Sequence, residues 1–354
     1  MARLLFWRLL RTALAVWALA SGVFLLSRHD VNTALQLAQP EAADLRTGAG
    51  TPAARQAQEW ATRRRLGLDV PLFYVGRHVP AHAVEGQWHW NGTNNQYHQW
   101  LRGVAHGQFG TSFRTGEAVT ARLGRALLFT VPLTGSAALL AAVLALWLAQ
   151  RLAARPAWLG PVRGALVGVH ALPLFVIALV LLLLFANPAV LAWFPAYGLD
   201  QSTDADLDVG SQLADYLWHL ALPVAALTLS ALPGLTLQLE ASLAHELGSG
   251  YATTARAKGL AGRAVIRHHA LRNALLPSLA QLAELLPALV AGAVVVEVAF
   301  ALPGMGRLLA EAAAARDYPV LMGGVLLTGA ARLLSLLLTD MLYFWVDPRI
   351  RWQS

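Results

Sequence analysis

The chain holds one lysine, Lys258, inside the run YATTARAKGLAGRAVIRHHALRNALLP from Tyr251 to Pro277, and its neighbours decide which phosphate chemistry is open. A nucleotide-binding loop needs Gly-Lys-Ser/Thr so that the ammonium reaches the phosphates, whereas Lys258 sits between Ala257 and Gly259. No Walker-type ATP site is encoded. His245-Glu246 opens a zinc-protease pattern, but the second histidine would fall at Ser249. Gly248-Ser249-Gly250 lacks the spacing and the strand–turn–helix setting of a nucleophile elbow. His78 and His82 have metal-ligand spacing for a helix, yet Pro80 lies between them and no carboxylate or thiol completes a ligand set. With no cysteine among 354 residues, disulfide and thiolate chemistry drop out. These patterns point away from an enzyme, and no metal or cofactor of the chain's own is expected. What remains is a contact surface: Arg256, Lys258 and Arg263 can pair with acidic groups. The small Ala252, Ala255 and Ala257 suit a short helix lying deep in a groove of another protein, and Gly259 permits a turn that a side chain would obstruct.

The elements that must position this surface are apolar. Hydrophobic residues make up 56% of the chain and charged residues only 13%, which is the composition of an integral membrane protein. Apolar runs of about 20 residues, enough to cross a hydrocarbon core, occur at Leu4–Leu26, Ala126–Ala149, Ala165–Ala186, Leu217–Leu239, Leu282–Leu302 and Val320–Val346. The first, which starts with Arg3, Arg8 and Arg11 and contains Ala18-Leu19-Ala20, reads as an uncleaved signal anchor because five more spans follow. With the N-terminus inside, residues 1–11, the Arg151/Arg155/Arg163 loop, the 240–281 loop and the Arg349/Arg351 tail hold 13 of the 27 basic residues. The loop between the third and fourth spans carries Asp200, Asp204, Asp206, Asp208 and Asp215 and no Lys or Arg, so the positive-inside rule supports this orientation. The basic residues are scattered over short loops and form no face for nucleic acid. Residues 28–125 are the one stretch long enough for an extramembrane cap, with a helical Gln36–Arg65 portion and a polar remainder broken by Pro71, Pro80 and Asn91–Asn95.

Thr254-Ala255-Arg256-Ala257-Lys258-Gly259-Leu260 followed by His269-Ala270-Leu271-Arg272-Asn273-Ala274-Leu275-Leu276-Pro277 resembles the cytoplasmic signature of permease subunits of ATP-binding-cassette importers, and more narrowly the oligopeptide/dipeptide/nickel permease family. The resemblance continues through Gly292-Ala293, Glu297, Phe300, Pro303-Gly304-Met305-Gly306, Arg316-Asp317-Tyr318-Pro319, Asp340, and Tyr343 to Arg351. Upstream, Gly67-Leu68-Asp69, Pro71-Leu72 and Phe109-Gly110-Thr111-Ser112 are similar as well. It implies an all-α integral membrane protein with six transmembrane helices, a periplasmic cap segment between the first and second, and a cytoplasmic coupling helix between the fourth and fifth. The expected parts are a first helix over 1–27, a cap over 28–125 and a five-helix permease core over 126–354. Tyr251, Ala255, Arg256, Ala257, Lys258 and Gly259 become the ATPase-coupling residues. Implied partners are a homologous second permease, two ATP-binding-cassette ATPase subunits that bind ATP and Mg, a periplasmic or lipid-anchored substrate-binding protein, and the lipid bilayer of a bacterial cytoplasmic membrane with both termini cytoplasmic. The cargo would be peptides or similar small solutes; nickel falls within the family's range.

Inside the spans, Pro132, Pro173, Pro223, Pro233 and Pro287 can each kink a helix. Glu297, Arg332 and Asp340 are intramembrane charges, which line a pathway or contact another subunit. Asp340 lies eight residues after Arg332, roughly 80° around the helix, so the two do not face one another. Pro303, Gly304 and Gly306 form an outer turn that either shapes the mouth where a binding protein docks or simply closes two helices. Trp158, Trp193, Trp218, Trp345 and Trp352 near span ends read as interface anchors. The chain departs from the family at Ser27-Arg28-His29-Asp30, at Gln238 and Glu240 where arginines are usual, and in an insertion over Arg77–Gln99. A secondary carrier without ATP coupling and a non-transporting membrane scaffold stay open as alternatives. The first would need an ion-coupling relay near the midplane.

Overall fold

The computed structural model describes residues 2–29, 60–61, 64, 69–78, 87–154, 159–196 and 209–346. Outside them lie most of the helical portion expected over Gln36–Arg65, His82, the aspartates 200–208, Arg155, Trp158 and the tail from Asp347; of Asp340 and Trp345 only the helical backbone is described.

Helices occupy all six apolar stretches: α1 (Ala2–His29), α3 (Val119–Ala153), the pair α4 (Gly160–His170) and α5 (Leu174–Leu181), α6 (Val209–Leu247), α9 (Leu271–Ala299) and α11 (Tyr318–Val346). Between them lie α2 (Gln96–Ala105), the short α7 (Gly250–Ala257) and α8 (Gly262–Val265), and α10 (Met305–Ala314). Among the described residues three helices are long and apolar enough to cross a membrane, or four if a bent pair counts as one. That bent pair occupies the run Ala165–Ala186, where the kink expected at Pro173 is a full break between two helices. The chain turns by 110° between His170 and Leu174 before running on as a π turn, Leu182–Ala186. Pro173 is the cause: it has no N–H to continue the ladder and pushes the residue before it out of helical geometry.

Other prolines are absorbed. Pro132 sits inside α3, where its ring leaves the carbonyl of Leu128 without a helical donor, and the Tyr216 hydroxyl donates to that carbonyl at 3.4 Å. Pro223 and Pro233 both lie inside the unbroken α6.

By its contacts the chain divides into two compact units, one of residues 1–10, 125–308 and 330–354, the other of residues 11–124 and 309–329. The first has a core of Leu133, Ala137, Ala141 and Ala145 on α3 against Leu222, Ala226 and Leu227 on α6 and Leu289 and Val296 on α9. Alanine at every fourth position keeps that face of α3 flat, which allows close helix approach. Beyond it, Ala149 and Ala153 pack with Leu239, Leu243, Ile266, Ala270 and Ala274, so the end of α6 and the segment after α8 close on the end of α3.

The second unit is built on aromatic rings. Phe24 of α1 stacks on Trp100 at 5.0 Å and meets Tyr97 edge-on, while Ser21 and Tyr97 share a 2.8 Å hydrogen bond. Strands β1 (Val75–His78) and β2 (Gln87–Trp90) pair antiparallel with Val75 opposite Trp90 and His78 opposite Gln87. Asn95 caps α2 by accepting from His98 N at 2.8 Å.

Candidate functional site

The run around Lys258 folds as a short helix anchored at both ends to its own chain. At its C-terminus Gly259 has φ +86°, a left-handed angle in which a side chain is strained. Gly259 N donates to Arg256 O at 2.9 Å and Leu260 N to Ala255 O at 3.3 Å, the two bonds of a Schellman closure. Ala252 and Ala255, expected against another protein, are buried in this one, packed on Val265 and Leu247. Their small side chains bring α7 down onto α8. Arg256 donates to Leu247 O at 2.7 Å and so closes the end of α6. The exposed face is Tyr251, Thr253, Thr254, Ala257, Lys258 and Gly259.

Glu246 and Asn273, each quoted above in a different motif, together hold Tyr251. Its hydroxyl donates to Glu246 Oε2 at 2.5 Å and accepts from Asn273 Nδ2 at 3.3 Å. Burial, and then the hydrogen bond to Glu246, push the Tyr251 phenol above its usual value of 10.0. Glu240, where the resemblance leads one to expect a basic residue, lies 3.6 Å from the Arg163 guanidinium.

Glu297 is fully buried near the end of α9. Its Oε1 accepts from Thr130 Oγ1 at 2.6 Å and its Oε2 from Arg307 N at 3.0 Å, and the same Thr130 oxygen accepts from Met305 N at 2.8 Å. The carboxylate thus serves the unpaired N–H groups that open α10. Gly304 and Gly306 owe their identity to close approach: a Cβ at Gly304 would overlap the Glu297 carboxylate, and one at Gly306 would overlap Val294. Ala301, at φ +54°, ends α9 with Ala301 N on Val298 O and Leu302 N on Glu297 O. Arg307 Nη1 donates to Ala301 O at 2.7 Å. Arg332 is half-buried on α11, eight residues before Asp340 in the same helix.

In the second unit Asp317, also buried, accepts from Ser112 Oγ and from Phe113 N at 3.0 Å, and Arg122 Nη1 reaches it at 3.3 Å. Two motifs that the sequence gives 205 positions apart are one cluster here.

Residues 141–352 match the family described as binding-protein-dependent transport system inner membrane component. The chain is 33% identical over 262 residues to the oligopeptide transport system permease protein AppB of Bacillus subtilis, covering 73% of this chain and 80% of that one. The chain belongs to the binding-protein-dependent inner membrane components. Within the same family it is 32% identical over 283 residues to the oligopeptide transport system permease protein OppB of Escherichia coli, covering 76% and 84% of the two chains. It is 37% identical over 188 residues to the peptidoglycan transport system permease protein YejB of Agrobacterium fabrum, an alignment that spans 53% of this chain and 52% of that protein. For a binding-protein-dependent inner membrane component, α7 and Glu297 with Met305 and Arg307 lie within the matched residues, whereas Thr130, Ser112 and Arg122 precede them.

Proposed function

We propose that this chain is a permease subunit of an ATP-driven importer and forms half of the translocation pathway for peptides or similar small solutes delivered by a binding protein. It crosses the bacterial cytoplasmic membrane six times with both termini inside, α4 and α5 together making the third crossing. A homologous permease supplies the other half. Two ATP-binding-cassette subunits bind ATP and Mg and drive it, and α7 is the helix they move. The observation that carries this reading is the construction of α7: it is fixed to its own chain through Ala252, Ala255 and the Arg256 bond to Leu247 O and ended by the Gly259 closure, while its other face, with Lys258 at the end, is exposed. A helix held that way transmits a push to α6, which precedes it, and through α8 to α9.

Oligopeptide and peptidoglycan transport in the names of the relatives support a peptide-sized cargo. In this reading residues 28–125 are the periplasmic cap, the start of α10 faces the binding protein, and Arg332 and Asp340 face the pathway or the second permease. The test is to tag the chain in its host, extract it gently and identify what copurifies. Recovery of a second permease and P-loop ATPases is the expected result. A clean monomer or homodimer, stable and free of ATPase, would overturn the assignment in favour of a secondary carrier or scaffold.

A further inference from the structure

A cavity of about 360 Å³ lies at the end of α3, lined by Trp147, Gln150, Arg151, Arg263, Ile266 and Arg267. Three of its six lining residues are arginines and none is acidic. Among the described residues none of the three guanidiniums pairs with a carboxylate. Arg151 lies over the Trp147 ring, 5.3 Å from its centroid. The opposite wall is the π turn Ile266–Ala270, which continues α8 and places Arg267 beside the buried Ile266. The floor is firm, because Ile266 packs with Ala149, Ala153, Leu239 and Leu243.

We propose that this cavity binds the phosphate headgroup of an anionic phospholipid. Guanidinium forks match phosphate oxygens in pairs, and three unneutralised forks around one cavity call for an anion. Free phosphate and a lipid headgroup share that chemistry; the surface of α3 points to the lipid. Leu139, Leu140, Val143 and Trp147 are all exposed, and their three- and four-residue steps put Leu140, Val143, Trp147 and Arg151 on one face. This stripe leads straight into the cavity. From Leu139 to Arg151 the helix rises about 18 Å, close to the depth of one leaflet. Acyl chains would lie along the stripe with the headgroup at its end, and Trp147 takes the boundary position favoured by that side chain. Placing the cavity in the cytoplasmic leaflet rests on the coupling-helix orientation above, but the binding chemistry does not.

The test is native mass spectrometry of the full chain in mild detergent, titrated with phosphatidylglycerol, phosphatidylethanolamine or inorganic phosphate. The protein should retain phosphatidylglycerol over phosphatidylethanolamine. Each guanidinium lost near a charged membrane surface weakens binding about fivefold, so Arg263→Gln with Arg267→Gln should lower the preference about thirtyfold. Arg114→Gln, an exposed arginine elsewhere, is the control and should change nothing. An unchanged thermal transition verifies that the double variant is folded; if it is not, Arg151→Gln alone carries the test, with the fivefold loss. A preference untouched by these variants overturns the proposal. So does binding of inorganic phosphate without any choice between the two lipids. If the double variant instead sheds copurifying ATPase while its lipid preference stays intact, the arginines belong to a protein interface and the lipid site is refuted. Lipid retention is read on the mass of the chain alone and ATPase copurification in a separate extraction, so failure here and failure of the importer reading give different results.

Discussion

Ala301 and Arg316 hold left-handed backbone angles, φ +54° and +53°, that glycine adopts without strain. Each ends its helix with the same pair of bonds that Gly259 makes, Asp317 N reaching Ala312 O in the second case. The Cβ of Ala301 costs about 1 kcal/mol there. Glycine removes that cost but gains freedom in the unfolded chain, so Ala301→Gly should stabilise by about 0.5 kcal/mol. Thermal unfolding in detergent, with an upward shift of about 1 °C, checks it. A fall would mean that packing of the methyl outweighs backbone strain. Tyr251 yields a pH prediction. Its folded pKa is raised above the usual 10.0, so whatever the hydroxyl's bond to Glu246 contributes is fully present below pH 10 and disappears as pH rises through the raised value. The difference between the ultraviolet titrations of the native chain and Tyr251→Phe should therefore show one phenol ionising late. A phenol ionising at or below pH 10 would mean the bond does not hold in solution.

The joint between α9 and α10 is an element built around one buried carboxylate. Removing the Thr130 hydroxyl leaves both Glu297 Oε1 and Met305 N without their partner, so Thr130→Val, nearly the same shape, should destabilise by about 2 kcal/mol. Thr130→Ser keeps the hydroxyl and should recover most of it. Equal thermal stability of the three proteins would show that Glu297 does not depend on this bond. The sequence made the elements legible and hid the joint. Six apolar runs are helical because length and composition alone force internal backbone pairing in lipid. Glu297 stood out as a charge among apolar residues, yet its partner lies 167 positions away, and nothing local encodes that pairing. Gly304 and Gly306 were visible as a bend, but their reason, side chains from α9 filling the space a Cβ would take, is a property of packing. The 110° turn at Pro173 was legible only as a kink, since a proline marks where a helix breaks and its neighbours decide the angle.

At the scale of the whole molecule, the proposed importer requires that a push on α7 reach the spans, and Gly259 separates two ways in which this could fail. Among the described residues no atom beyond its two chain neighbours lies within 4 Å of where its Cβ would be, so a substitution is strained by φ +86° but free of clash with them. Gly259→Val keeps the spans folded and disfavours the closure at α7. A left-handed β-branched residue costs on the order of 1–2 kcal/mol, which lowers the docked conformation, and with it uptake, about tenfold. ATP hydrolysis by the assembled complex should persist. Gly259→Asn is larger than alanine yet tolerates the same angle. If the requirement is the backbone turn, asparagine restores uptake to within about twofold of the native protein. Uptake lost in both variants would mean that the open space beside Gly259 is filled by the ATPase, so that bulk and not conformation decides. Full ATP-dependent uptake with valine would remove α7 from the coupling path.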